Sequence, residues 1–442
     1  MTVTLESRPS LSRSPTHVTK FHRWLVPIVT GAFLLRLLVL VLSHGERVSG
    51  DGYEWSKQAN LNAAGHWFVS PFSLRPDALR PPGWALVLTV WAWLGQHSWF
   101  RQQLLASLVG TATVLVIALA ARRIGGERAA IITAIVAAIY PGFWVYERAL
   151  LSETLLLLGV SAMTLVTYRF WARPSTVGAA VLGVGTGLLA LTRSEQILVA
   201  PLLVLPLIVG RRQIELRTRG IWLALAAVCV IVVILPWTIF NLGRFQKPVF
   251  LSNGFGAAAA TGNCEQTYYG PEIGYGTLRC LPLFVKGDQS VQDGEDAHIA
   301  LHYAEGHLSR LPLVVFAREG RTFGFWNPAQ QTEIDASWMG TWIGVTRVEM
   351  VSYWLLVLPA VGGLVVLRRR GVIVYPLIAF VLTTVVAVAP AIGDPRYRAA
   401  ADVPLVLLAS IGVDGFIGWR RRSRRQPDPD PLTEPEDLVP VP

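Results

Sequence analysis

The chain has 442 residues, 52% of them hydrophobic and only 15% charged, with a mean hydropathy of +0.45. This composition excludes a string of soluble domains and points to a protein of the bilayer. Three cysteines exclude a disulfide-dense scaffold, and no Cys/His grouping has the spacing of a structural zinc site. The formal charge of +10, from 39 basic and 29 acidic residues, would raise nucleic acid as a partner, so its placement along the chain matters.

In chain order, a hydropathy window of about 19 residues predicts apolar spans at 24–43, 104–121, 129–144, 154–170, 176–191, 196–210, 221–240, 351–367, 372–390 and 403–419. The fold class expected is an all-α polytopic membrane protein with about ten transmembrane helices and outer juxtamembrane helices. Every other loop is basic, as at Arg8, Arg13, Lys20 and Arg23, Arg122 to Arg128, Arg169 and Arg173, Arg211 to Arg219, Arg368 to Arg370, and Arg420 to Arg425. Positive residues stay cytoplasmic, so both termini are expected inside, in a plasma (inner) membrane protein whose chemistry faces out. These segments hold 21 of the 39 basic residues; the charge is topological and gives no case for nucleic acid. A further apolar stretch, 83–97, would invert every later loop if it crossed, so it is expected to be interfacial or re-entrant on the outer side.

The organisation expected is a disordered basic tail 1–23, a seven-helix membrane module 24–240 that carries the chemistry, with an outer loop 44–103, an extracytoplasmic loop 241–350, three further helices over 351–419, and a cytoplasmic tail 420–442, first basic and then acidic and Pro-rich. Neither outer segment shows a core of its own in the sequence. Residues 294–325 read as one surface helix that Pro312 interrupts. Cys264 and Cys280 lie on the side where an oxidising compartment permits disulfides and are expected to bond to each other.

Ionisable groups at the outer helix ends cost insertion energy unless they face a cavity or a partner. They cluster here as Asp51 and Glu54, Glu147, Arg148 and Glu153, Arg193 and Glu195, and Asp394, Arg396 and Arg398. A shielded carboxylate can act as a general base toward a hydroxyl, and arginine forks bind phosphate oxygens. That equipment suits a phosphate-bearing, lipid-tailed substrate attacked by a hydroxyl, such as a sugar on a polyprenyl phosphate.

The motifs resemble the polytopic GT-C glycosyltransferases, in particular the relatives of dolichyl-phosphate-mannose protein mannosyltransferases and of lipid A aminoarabinose transferases. The resemblance lies in Gly50-Asp51 with Tyr53 nearby, in Arg80-Pro81-Pro82-Gly83, in Arg148 followed by Glu153, in Arg193, in Pro236-Trp237 and Asn241, and in Arg396-Tyr397-Arg398. Arg80 stands where those enzymes carry Lys or His, and the mannosyltransferases' added luminal domain is missing from the large loop. The resemblance implies inverting transfer of a monosaccharide from a polyprenyl-phosphate donor to a hydroxyl of a cell-envelope glycan, glycolipid or protein. It implies Asp51 as general base and Glu153 as a second, orienting carboxylate. Arg193, Arg396 and Arg398 would hold the donor phosphate, while Tyr53, Glu54, Arg80, Glu147, Arg148 and Tyr397 would bind substrate. No metal or other cofactor is expected. The rival readings are a lipid-linked glycan flippase or transporter, which Arg36 in mid-helix would suit, and an O-antigen polymerase or ligase, which Asp51 directly after the first span argues against.

Overall fold

The computed structural model describes residues 16–43, 48–282 and 286–423. Residues 1–15 and 424–442, most of the two expected tails, lie outside the described residues. The first helix begins within the expected N-terminal tail, and the last runs four residues into the C-terminal one. In chain order the helices are α1 (Thr16–Leu42), α2 (Gly50–Ala63), α3 (Gly83–Trp93), α4 (Trp99–Gly125), α5 (Glu127–Ile139), α6 (Pro141–Arg148), α7 (Glu153–Ala172), α8 (Thr176–Thr192), α9 (Leu205–Val209), α10 (Leu216–Asn241), α11 (Phe255–Gly262), α12 (Glu265–Tyr268), α13 (Gln289–Gly306), α14 (Leu311–Thr322), α15 (Pro328–Met339), α16 (Ile343–Arg369), α17 (Tyr375–Val388) and α18 (Ala399–Ser423). Among the described residues there is no strand, only a single bridge between Val69 and Pro76.

Six of these segments are long and apolar enough to cross a membrane: α1 from Phe21, α4, α7, α10, α16 and Pro395–Arg421. A seventh is the pair α5 and α6, bent by 41° where Tyr140, preceding Pro141, takes an extended conformation, as the proline ring demands. The other three expected spans are the shorter apolar helices α8, Ser194–Val209 and α17. Ser194–Val209 begins as a tight 3₁₀ turn and widens to a π turn at Ala200–Val204 before α9, so its backbone is irregular at the outer end. The helix in the 83–97 stretch is α3, whose 11 residues rise only about 16 Å, too little to span.

Glycines set the closest helix contacts, as small residues do where backbones must approach without a hydrophobic driving force. A Cβ at Gly183 of α8 would stand 2.3 Å from the Ala226 carbonyl oxygen of α10, and one at Gly363 of α16 would stand 1.9 Å from that of Leu408 in α18. Arg36 is buried in α1, and its Nε donates to Glu147 Oε1 of α6 at 2.8 Å. It is an internal tie of the bundle.

Both outer segments have cores that the sequence did not disclose. Trp55, Ala59, Phe68, Trp84 and Leu88 pack with Trp237 from the end of α10; Tyr268, Ile273, Val314 and Ala317 form a smaller cluster in the large loop. Each is built from residues far apart in sequence, which leaves no local periodicity to read. The helix expected over 294–325 is two: α13 ends at Gly306, and α14 has Pro312 in its first turn. There its missing N–H has no intrahelical partner to lose, so the proline starts a helix instead of interrupting one. A disulfide joins Cys264 to Cys280.

Candidate active site

Asp51 stands in the first turn of α2, where the helix dipole favours a carboxylate. The next residue fixes its place: a Cβ on Gly52 would lie 1.9 Å from the Ala149 carbonyl oxygen, so α2 begins directly on the turn that launches α7. Glu153 opens α7 and is completely buried. Gly83 sits equally close to the last turn of α8, its Cβ position 2.6 Å from the Leu191 oxygen. That contact carries Arg80, just before α3, toward Arg193, just after α8. Finally, Asp394 caps the turn Pro395–Arg398 by accepting from the Arg396 N–H at 2.8 Å.

These five loci meet in one chain of alternating charge. Arg80 reaches Glu54 at 2.5 Å and Asp51 at 2.6 Å. Arg396 spans the two carboxylates assigned to chemistry, with Nη2 3.0 Å from Asp51 Oδ2 and Nε 3.0 Å from Glu153 Oε1. Arg193 contacts the same Glu153 oxygen at 2.5 Å and Glu195 at 2.5 Å, and its guanidinium lies 4.8 Å from the centroid of the Tyr397 ring. Burial penalises ionisation of Asp51, but the guanidinium groups of Arg80 and Arg396 outweigh it and hold the carboxyl well below the usual carboxylate range.

The chain of charges borders a cavity of about 690 Å³. Asp51, Arg80, Arg193 and Arg396 line it together with the apolar Ile197, Leu198, Phe255, Val386 and Ile392. The apolar lining thus comes from the irregular outer end of Ser194–Val209, from α17 and the turn after it, and from α11. The helices that deliver the acids and arginines carry their basic loops at the far end: α7 runs from Glu153 to Arg169, and α18 from just after Arg396 to Arg420.

Of the expected residues, the structure brings together Asp51, Glu54, Arg80, Glu153, Arg193, Arg396 and Tyr397. Four stand apart. Glu147 is paired with Arg36 inside the bundle. Arg398 is fully buried between Glu349 and Asp402 and donates to the Thr322 carbonyl; successive side chains of a tight turn diverge, so of the Arg-Tyr-Arg motif Arg396 and Tyr397 face the cavity and Arg398 the core. Arg148 donates to the Gly340 carbonyl, and Tyr53 packs on Phe72 with ring centroids 6.2 Å apart. Neither of these lines the cavity.

Residues not singled out include Asp335, Tyr275 and Trp338 of the large loop. Asp335 is buried, accepts from Gln331 at 2.8 Å, and is pushed well above the usual carboxylate range by burial and then by Asp394. Arg318 of α14 is likewise fully buried; it donates to the carbonyls of Ala389 and Gly262, each at 2.6 Å, and so ties the end of α17 to α11 beside the cavity. The acidic and aromatic character of 330–340 was visible, but nothing in the sequence pairs that stretch with residues 394–396.

Residues 79–240 match the sequence profile of the dolichyl-phosphate-mannose-protein mannosyltransferase family. No curated protein matches the chain. Among solved structures, it superposes on the Archaeoglobus fulgidus oligosaccharyltransferase in complex with Zn and sulfate with a TM-score of 0.55 at 13% identity, over 91% of this chain and 50% of that one. On the same enzyme tethered to an acceptor peptide the TM-score is 0.54 at 15% identity, again over 91% and 50%. ArnT from Cupriavidus metallidurans bound to undecaprenyl phosphate aligns over 95% of this chain and 82% of that one at 15% identity, but with a TM-score of 0.42, too loose to argue from. The chain spans about half the length of the oligosaccharyltransferases it matches. The protein is thus an integral membrane protein whose helical fold is similar to that of the oligosaccharyltransferase and whose residues 79–240 are similar to the dolichyl-phosphate-mannose-protein mannosyltransferases.

Proposed function

We propose that the protein is an inverting glycosyltransferase that moves a monosaccharide from a polyprenyl-phosphate donor to an acceptor hydroxyl at the extracytoplasmic face. The observation that carries this reading is the cavity's mixed lining, in which arginines and acids share one space with a set of apolar side chains. A ligand with an anionic head and a hydrocarbon tail satisfies both kinds of lining at once, and a soluble nucleotide sugar would leave the apolar part unfilled. The basic loops at the opposite helix ends support the extracytoplasmic side.

In this reading the donor phosphate takes hydrogen bonds from Arg193 and Arg396, which are now spent on Glu153 and Asp51. Arg396 drawn toward the phosphate leaves Asp51 with one guanidinium fewer, so its basicity rises when the donor is bound. The acceptor hydroxyl gives its proton to Asp51 while its oxygen attacks the anomeric carbon from the face opposite the phosphate, which inverts that centre. The carbon–oxygen bond to phosphate breaks with its electrons on the phosphate, where the arginines balance the charge. The proton on Asp51 then passes to the phosphate monoester, which restores the carboxylate. Glu153 keeps Arg193 and Arg396 aimed throughout.

The oligosaccharyltransferase complex with Zn raises the question of a metal between the two acids. The residues do not fit one, because the Arg396 guanidinium occupies the bridge between Asp51 and Glu153. Among the described residues no cluster of three or more His, Cys, Asp or Glu is placed to hold an ion. The reading has no metal step, and transfer is expected to persist in EDTA.

Binding of undecaprenyl phosphate to the full chain in vesicles tests the donor half directly. Arg396→Ala should weaken it roughly 10- to 100-fold, the worth of one or two charge-assisted hydrogen bonds; unchanged affinity counts against the phosphate role.

A further inference from the structure

We propose that Trp338 is the stacking face for a sugar ring of the acceptor, which makes the acceptor a glycan or glycolipid instead of a polypeptide side chain. This rests on the reading above for the roles of the neighbouring groups.

Trp338, near the end of α15, lines the same cavity as Asp51 and is 47% exposed. Its position relative to the base is fixed through the backbone: a Cβ on Gly50 would stand 3.3 Å from the Trp338 carbonyl oxygen, so α2 starts directly against it. Tyr275, itself buried, lines the same cavity.

Trp55, the other cavity-lining indole, cannot play this part. It is buried, with the Arg80 guanidinium over its ring. An open indole face next to carboxylates suits a pyranose or furanose, which presents a C–H face to the ring and hydroxyls to Asp51 and Asp394. A serine or threonine side chain has no face of that size, so for a polypeptide acceptor the arrangement would be idle.

Saturation-transfer NMR on the purified full chain tests this, with methyl glycosides of mannose, galactose, glucosamine and arabinofuranose, and with N-acetylserine amide as the polypeptide probe. At least one glycoside should receive saturation on its ring C–H protons. Trp338→Ala should weaken that binding about fivefold or more, and Trp338→Phe, which keeps a face, should largely retain it. No ring-proton saturation from any glycoside, equal saturation in Trp338→Ala, or Trp338-dependent saturation of the serine amide alone would each overturn the proposal. Undecaprenyl phosphate binding to Trp338→Ala should match wild type. If wild type itself fails to bind that lipid, the donor reading fails on its own, and the glycoside result still decides the role of Trp338.

Discussion

Arg396 and Arg398 are two residues apart and have different work. Arg396 faces the cavity and bridges Asp51 and Glu153; Arg398 is sealed under it with Glu349 and Asp402. Replacing Arg398 by Gln should therefore lower stability by about 3–5 kcal/mol, as expected when one partner of a buried ionic cluster is removed, and not act as a selective donor-binding lesion. Glu147→Ala should do the same through Arg36. A thermal unfolding scan in detergent reads both, and an unshifted midpoint would contradict the placement. Asp51 supplies the pH prediction. Its carboxyl is held well below the usual range, so its ion pairs contribute stability above the unfolded carboxylate value of about 3.9 and lose it only as pH falls through and below that. The acid limb of kcat/KM, which reports the free enzyme, should accordingly stay flat down to about pH 5. A limb that falls near pH 6–7 would mean another base. At this scale the acids and arginines of the site were legible because charge at a helix end is costly and rarely idle. Which of two neighbouring arginines faces the cavity was not, because a tight turn fixes side-chain direction by geometry that spacing does not encode.

The elements around the cavity are stitched by backbone contacts and by one covalent bond. Gly393 N–H donates to the Gly274 carbonyl at 2.8 Å, Arg318 ties α11 to the end of α17, and the Cys264–Cys280 disulfide, spanning 16 residues, closes the loop that carries Tyr275 and Gly276 to the cavity. Removing the disulfide with paired serines should cost about 3 kcal/mol by loop closure and raise the half-saturation for acceptor more than for donor, since the arginines are held elsewhere. Equal effects on both would contradict the division. Asp335 offers a second measurement. Its raised carboxyl means the folded state holds the proton more tightly, so stability falls as pH rises from the unfolded carboxylate value toward that raised one. Asp335→Asn should remove this slope, which unfolding midpoints between about pH 5 and 8 would show. The disulfide could be anticipated from the sidedness of the loop; the cores beneath α2, α3 and α14 could not, since Trp55, Phe68, Trp84 and Trp237 meet only in the fold.

Across the whole molecule, apolar runs and basic loops placed ten helical segments in order, and each is present as a helix or a bent or broken one. Their lengths were less legible. α8, Ser194–Val209 and α17 fall short of a full span, and two of the three supply apolar side chains to the cavity. Short and irregular helices are tolerated at membrane depth only where protein or a cavity covers them, so the weakest transmembrane signals mark the place where the substrate is expected to lie. The charge that first suggested nucleic acid belongs to the opposite ends of those helices. Everything proposed for the chemistry depends on Asp51 as the base. Wild type and Asp51→Asn, both inserted and equally stable, would be compared in vesicles for transfer of labelled sugar from a polyprenyl-phosphate-sugar fraction of the native membrane. Transfer should fall by on the order of 10²–10⁴-fold with undecaprenyl phosphate still bound; transfer at the wild-type rate would contradict the assignment.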